Sequence, residues 1–204
     1  MGEKTDSSDV RLGEFGAARQ VAGSKLGLGI DKDSYLIDCG ISYSDKNSEK
    51  LPFNAKGVDA LILTHAHAAH MGQVPDLYKQ GFRGPIFSTA ATAEICNQQI
   101  GQTLSFAEYD ARRNNGGRNG KSNGRENGNS GVKEEPVNRY EGITLEEIMD
   151  LFKGEDASGR MGFSYGKKIE VGENLNIRFE EAGHITGAAQ ILMEYESGGA
   201  KRKL

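Results

Sequence analysis

Between Gly13 and Gly40 short apolar stretches alternate with turns rich in Gly and Asp, the pattern of a β-meander. Within it, "SYLIDCG" (Ser34 to Gly40) reads as a strand that ends in a sharp turn. The continuous apolar run from Ala60 to Leu63 is too short for a helix; it predicts a buried strand whose end delivers His65 and His67 into a loop. "HMGQVPDLYKQGF" then suits a short helix stopped by Gly81. "GPIFST" (Gly84 to Thr89) predicts the next strand, leading into a helix over roughly Ala90 to Leu104. In "ITLEEIMDLFKG" Thr144 and Glu147 have capping-box spacing. Ile148, Leu151 and Phe152 follow on one face, and Gly154 is the expected stop. Leu175, Ile177 and Phe179 alternate in "LNIRFEEAGH", and "AAQILMEYES" supplies another strand before the basic tail "KRKL". There is no internal repeat.

The pattern breaks between Ala111 and Gly131. "ARRNNGGRNGKSNGRENGNSG" holds no apolar residue after its first alanine and cannot supply a core. The organisation expected is a flexible start over 1–12 and one domain over 13–204, carrying a disordered low-complexity insertion over 111–138. Arg112, Arg113, Arg118, Lys121 and Arg125 give that insertion a second reading, a basic arm that touches a polyanion.

Charge and cysteine usage narrow the class. The 204-residue chain has a net charge of −4, so it lacks the globally basic surface of a non-specific nucleic-acid binder, and any such contact must be local. No apolar run approaches the roughly 20 residues that span a bilayer. The start "MGEKTDSSDV" lacks a signal-type apolar stretch, so the expected location is cytoplasmic, without a membrane. Cys39 and Cys96 show no metal-type pairing and read as buried thiols.

All four histidines, His65, His67, His70 and His184, fall in short strand-to-loop segments among small residues. Zinc binds neutral imidazole, and a catalytic site typically uses three protein ligands with a fourth position open. His65 and His67, two apart in extended chain, point the same way. His70 suits a second ion better than the first. His184, between Gly183 and Gly187, is the distant ligand that completes the first site. Asp38 and Asp59 fit two roles equally, fixing imidazole tautomers or capping turns.

Several stretches resemble one known family. "LTHAHAAH" looks like the H-x-H-x-D-H signature of metallo-β-lactamase-fold hydrolases. "GHITGAAQI" resembles the later histidine motif of the RNA- and DNA-processing branch called β-CASP. "GAARQVAGS" (Gly16 to Ser24) is similar to the G-A-A-R-E-V-T-G-S stretch of that branch, and "LIDCG" to its first aspartate motif. The resemblance runs from about Gly13 to Tyr195, the insertion apart. It implies an α/β fold, the αββα sandwich, of which only the N-terminal half is expected here. It also implies two zinc ions in the intact site, with a bridging hydroxide that attacks a phosphodiester in RNA. Carried over, His65, His67 and His184 hold the first zinc, His70 contributes to the second, and Asp38 and His184 are the catalytic candidates.

Two departures from the family pattern bear on activity. Ala69 stands where the family has aspartate, so the second zinc loses a ligand and one zinc is expected. The chain also stops at Leu204, where the family continues; the expectation is a fragment without its partner sheet, its exposed apolar face covered by a protein partner or by the C-terminal half. The function expected is a zinc-dependent metallo-hydrolase resembling β-CASP ribonucleases, impaired or fragmentary. The alternative is a catalytically degenerate scaffold or interaction subunit of an RNA-processing complex. Thioester or lactam hydrolysis is disfavoured by "GAARQVAGS" and "GHITGAAQ", which resemble the nucleic-acid branch in particular.

Overall fold

The structure, a computed structural model, describes residues 10–17, 22–42, 50–116, 138–197 and 200–204. Strands β1 (Val10–Gly16), β2 (Lys25–Ile30) and β3 (Asp33–Ile37) form the expected antiparallel meander, with Leu28 opposite Tyr35. Strands β4 (Ala60–Ile62) and β5 (Ile86–Phe87) then join in parallel, giving a five-stranded sheet ordered β1-β2-β3-β4-β5. Parallel neighbours need crossovers. The β4–β5 crossover holds two short helices, α1 (Ala68–Met71) and α2 (Val74–Lys79), and the long helix α3 (Ala90–Gly116) and short α4 (Leu145–Met149) follow β5.

A second, four-stranded antiparallel sheet contains β6 (Lys168–Gly172), β7 (Leu175–Glu181), β8 (Ala189–Ser197) and β9 (Ala200–Lys203). The side-chain period of two places Leu175, Ile177 and Phe179 on one face of β7. They meet Leu28, Ile30, Tyr35, Ile37 and Ile62 of the first sheet in a shared core between the sheets. The opposite face of the first sheet, with Leu36, Leu61 and Ile86, packs on Met71, Leu77, Ile100 and Ile148 of the helices. The layers are thus helices, sheet, sheet, an α/β architecture with one mixed and one antiparallel sheet.

This corrects the expectation of an absent partner sheet. The two inner faces cover each other, and the outer face of the second sheet is charged rather than apolar: Lys168 lies opposite Arg178, and Asn176 opposite Glu194. Lys168 and Lys203 both reach Glu194, at 3.9 and 3.0 Å. Two of the four strands escape an apolar pattern for physical reasons. β6 buries only Ile169 fully, and β9 is the tail "AKRK", an edge strand held by its ladder to β8 with every side chain exposed. Lysines on an edge also deter further pairing.

Smaller corrections concern boundaries. β1 begins at Val10, inside the segment expected to be flexible; its residues 10–12 are ordered by pairing with β2, and residues 1–9 lie outside those described. α3 runs to Gly116, past the expected end near Leu104 and into the low-complexity segment, of which residues 117–137 lie outside those described. The single helix expected after the histidines is two helices, the second opening with a proline in its first turn; Gly81, at φ +102°, ends it as expected. The Thr144–Glu147 capping box is present, but α4 stops at Met149 and Gly154 is not its cap. Leu151 to Lys153 instead bond the backbone of Ile86, satisfying the open edge of β5. Asp59 is a turn residue: its Oδ2 accepts from the Ser34 amide at 2.7 Å. Cys39 and Cys96 are both buried free thiols, as expected. No described helix is long and apolar enough to cross a membrane.

Phe179 is wholly buried between the sheets. Phe179→Ala is expected to cost about 3–5 kcal/mol, read as a lower urea midpoint with an unchanged slope.

Candidate metal centre

Three segments at one end of the sandwich build the site, one carrying Asp38 and two carrying the four histidines. The first begins where β3 ends. Asp38 adopts φ +61°, a left-handed conformation that aspartate tolerates better than most residues, and its amide donates to Ile62 O at 2.9 Å. This turn drives the Asp38 carboxylate inward, 3% exposed, under the loop that follows β4. There it accepts the Thr64 amide at 2.9 Å and the Thr64 hydroxyl at 2.9–3.0 Å. His70 Nδ1 lies 2.7 Å from Asp38 Oδ2.

These contacts fix proton positions. A carboxylate only accepts, so the single Thr64 hydroxyl proton goes to Asp38, and the Thr64 oxygen must accept from His65 Nδ1, 2.9 Å away. That leaves the lone pair of His65 on Nε2. By the same logic the Nδ1–H of His70 donates to Asp38, and its lone pair sits on Nε2. Partners of this kind orient metal-binding imidazoles and raise their basicity.

The distant ligand arrives on the loop between β7 and β8. Gly183 and Gly187 take φ +69° and +88°. Gly187 O accepts from the hydroxyls of Thr89 and Thr92 at the start of α3, at 2.7 and 3.0 Å, and a Cβ at Gly187 would stand 2.7 Å from the Thr92 nitrogen. The Ala189 amide donates to Thr64 O at 2.9 Å, tying this loop directly to the first histidine loop.

His184, 117 positions from His67, is thereby brought to it, with His184 Nε2 at 3.2 Å from His67 Nδ1. His65 Nε2 lies 3.2 Å from the same His67 Nδ1. One ligand atom from each of His65, His67 and His184 falls within 4.8 Å of the others. The nitrogens of a tetrahedral zinc with bonds near 2.0–2.1 Å stand roughly 3.3 Å apart, so the spacing fits such an ion. Protonation fits as well. Burial first, and the neighbouring His70 second, push the pKa of His65 down to about 4, so its imidazole is neutral and able to bind at pH 7.

His65, His67 and His184 come together, whereas His70, half-buried with its ring centroid 3.9 Å from that of His65, stands outside this group and pairs with Asp38. Asp38 takes the tautomer-fixing option and Asp59 does not. Ala69 contributes only backbone: its carbonyl accepts from Ser24 N at 2.9 Å, and a Cβ on Gly40 would lie 1.6 Å from that oxygen. Two residues went unread. Thr64, inside the quoted histidine stretch, links Asp38 to His65; its position between a strand end and a histidine is the only local signal. Lys25 is 6% exposed and donates to the carbonyls of Gly40 and Gly23, bracing the Asp38 turn. Nothing in a lone lysine at a strand start announces that role.

Two outcomes follow. Thr64→Val keeps shape but cuts the link from Asp38 to His65, and is expected to weaken zinc binding about 10- to 100-fold by calorimetric titration. In the metal-free protein, NMR should place the His65 titration near pH 4. Because an unfolded histidine titrates near 6.5, the unfolded chain binds the extra proton between these values. The stability contributed by this group is then complete above about pH 6.5, declines as pH falls, and levels off below about 4.

The chain is similar to several known proteins. The chain is 29% identical over 191 residues to Ribonuclease TTHA0252 of Thermus thermophilus, covering 92% of this chain and 36% of that protein. It is 38% identical over 202 residues to the transcription termination factor FttA of Methanothermobacter thermautotrophicus, covering 96% of this chain and 27% of the relative. RNase aCSPSF2 of Saccharolobus solfataricus is 23% identical over 186 residues, with 90% of this chain and 30% of the relative covered. The chain thus spans roughly a third of the length of these relatives. The family model of the metallo-beta-lactamase superfamily matches residues 28–165, from β2 through the Asp38 turn and the segment carrying His65, His67 and His70 to the approach of β6, and the chain belongs to that superfamily.

Proposed function

We propose that this chain is the metal-binding portion of a zinc-dependent hydrolase that cleaves phosphodiester bonds in RNA, with His65, His67 and His184 holding one ion. The observation that carries this reading is the meeting of three imidazole nitrogens from two loops far apart in sequence, two of the separations being 3.2 Å. Two relatives named as ribonucleases support RNA as the substrate.

Zinc held by these three imidazoles would keep a fourth position for substrate or water and would supply Lewis-acid chemistry there. The protein's own contribution is orientation. Asp38 and Thr64 hold the His65 ring with Nε2 outward, and the threonines of α3 hold the His184 loop against the first. Asp38 is a positioning residue in this scheme, since it is buried beneath the imidazoles, and His184 is a ligand. His70, with Nδ1–H committed to Asp38, keeps Nε2 to accept a proton or to ligate a second, weaker ion. A partner chain or further polypeptide on the outer face of the second sheet would meet charged side chains there.

Ala69 favours one alternative, a catalytically degenerate scaffold or interaction subunit that serves an RNA-processing assembly. Without a side-chain oxygen at this position, nothing in the histidine stretch except His70 serves a second ion. Elemental analysis after zinc loading separates the readings. One zinc per chain, falling to nearly none in His67→Ala and rising toward two in Ala69→Asp, is the expected result. A 5′-labelled single-stranded RNA should be cut by the zinc-loaded chain and left intact by His67→Ala. Absence of zinc from the loaded protein would contradict the hydrolase, and zinc without cleavage would favour the scaffold.

A further inference from the structure

The 27 residues of α3 run from the histidine centre outward, and the far end differs in character from the near one. At the near end Thr89 and Thr92 grip Gly187. At the far end Phe106 and Tyr109 are 67% and 60% exposed. With 3.6 residues per turn, Gln102, Phe106, Tyr109 and Arg113 fall on one stripe of the helix, and Arg112 lies at its margin. Arg112 pairs with Glu108 on the flank, an exposed pair of the kind that contributes little and exchanges readily for another anion. At 1.5 Å per residue, Phe106 is about 21 Å along the axis from Thr92.

We infer that the exposed stripe of α3 formed by Phe106, Tyr109, Arg112 and Arg113 is a stacking platform for single-stranded RNA, separate from the histidine centre. Two large rings on a helix face in water are costly unless something covers them. Bases stack on aromatic side chains whatever their identity, and guanidinium groups beside them take phosphates or stack in turn. The charge argues for a polyanion rather than an apolar partner. The chain as a whole is acidic, at −4, yet this stripe ends in two arginines. The inference shares its RNA with the function proposed above but none of its metal chemistry. Strand bound here would continue along α3 toward the loop that carries His184.

The test is fluorescence anisotropy of the full chain with a labelled twelve-nucleotide oligouridine, with zinc and without. Phe106→Ala/Tyr109→Ala is expected to weaken binding about tenfold or more, with little change in its salt dependence. Arg112→Gln/Arg113→Gln should lower the slope of log affinity against log salt by roughly 1.4, since each single-strand phosphate contact contributes about 0.7. Phe106→Tyr should retain affinity, and the circular dichroism of every variant should match the parent. Unchanged binding by the aromatic pair variant overturns the platform. So does an aromatic variant that dissociates a dimer in sedimentation, because the stripe is then an interface between copies. Zinc binding by all these variants should stay at the parent value, so loss of the platform and loss of the metal centre are read separately.

Discussion

The Asp38 carboxylate is the point on which the histidine end of this molecule depends. It sits in a left-handed turn at the end of β3, almost wholly buried away from water. Its negative charge is instead satisfied by the amide and hydroxyl of Thr64 and by His70. A buried carboxylate is tolerated only when hydrogen-bonded, so the same contacts that make Asp38 possible also fix where the protons of two imidazoles lie. Stability and ligand geometry are one set of hydrogen bonds here. Moving the Asp38 turn moves His65 and His70 together.

The rest of the fold serves to place that turn and to bring His184 to it. Parallel pairing of β3 with β4 sets the Asp38 turn beside the Thr64 loop, in a register where Ile37 meets Ile62. The interior packing of the two sheets puts the β7–β8 loop over the same edge. Thr89 and Thr92 then lock that loop by its Gly187 carbonyl, at a site too tight for any side chain at residue 187. Three elements distant in sequence share one local network, and a metal-sized group of nitrogens is its consequence.

Much of this could be read from residues. The meander, the apolar strand before the histidines, the alternation of Leu175, Ile177 and Phe179, and the capping box at Thr144 are each written locally, by side-chain period or by cap spacing. The His65–His67 pair and its distant partner His184 follow from the scarcity of histidine and from the flanking glycines. What could not be read depends on backbone rather than side chains. β9 is a strand of lysine and arginine because its ladder to β8 needs only N–H and C=O groups. The stretch after α4 leaves helix because the edge of β5 needs partners. The pairing of His70 with Asp38 turns on which imidazole the carboxylate reaches, a distance that spacing does not encode.

The proposed centre joins three imidazoles on one ion while His70 stays with Asp38. X-ray absorption at the zinc edge of the singly loaded chain tests this directly. The prediction is a four-coordinate ion with three imidazole ligands and one oxygen-type ligand, the spectrum unchanged in His70→Ala and losing one imidazole in His184→Ala. A spectrum with two imidazoles in the parent chain, or one that loses an imidazole in His70→Ala, would contradict it.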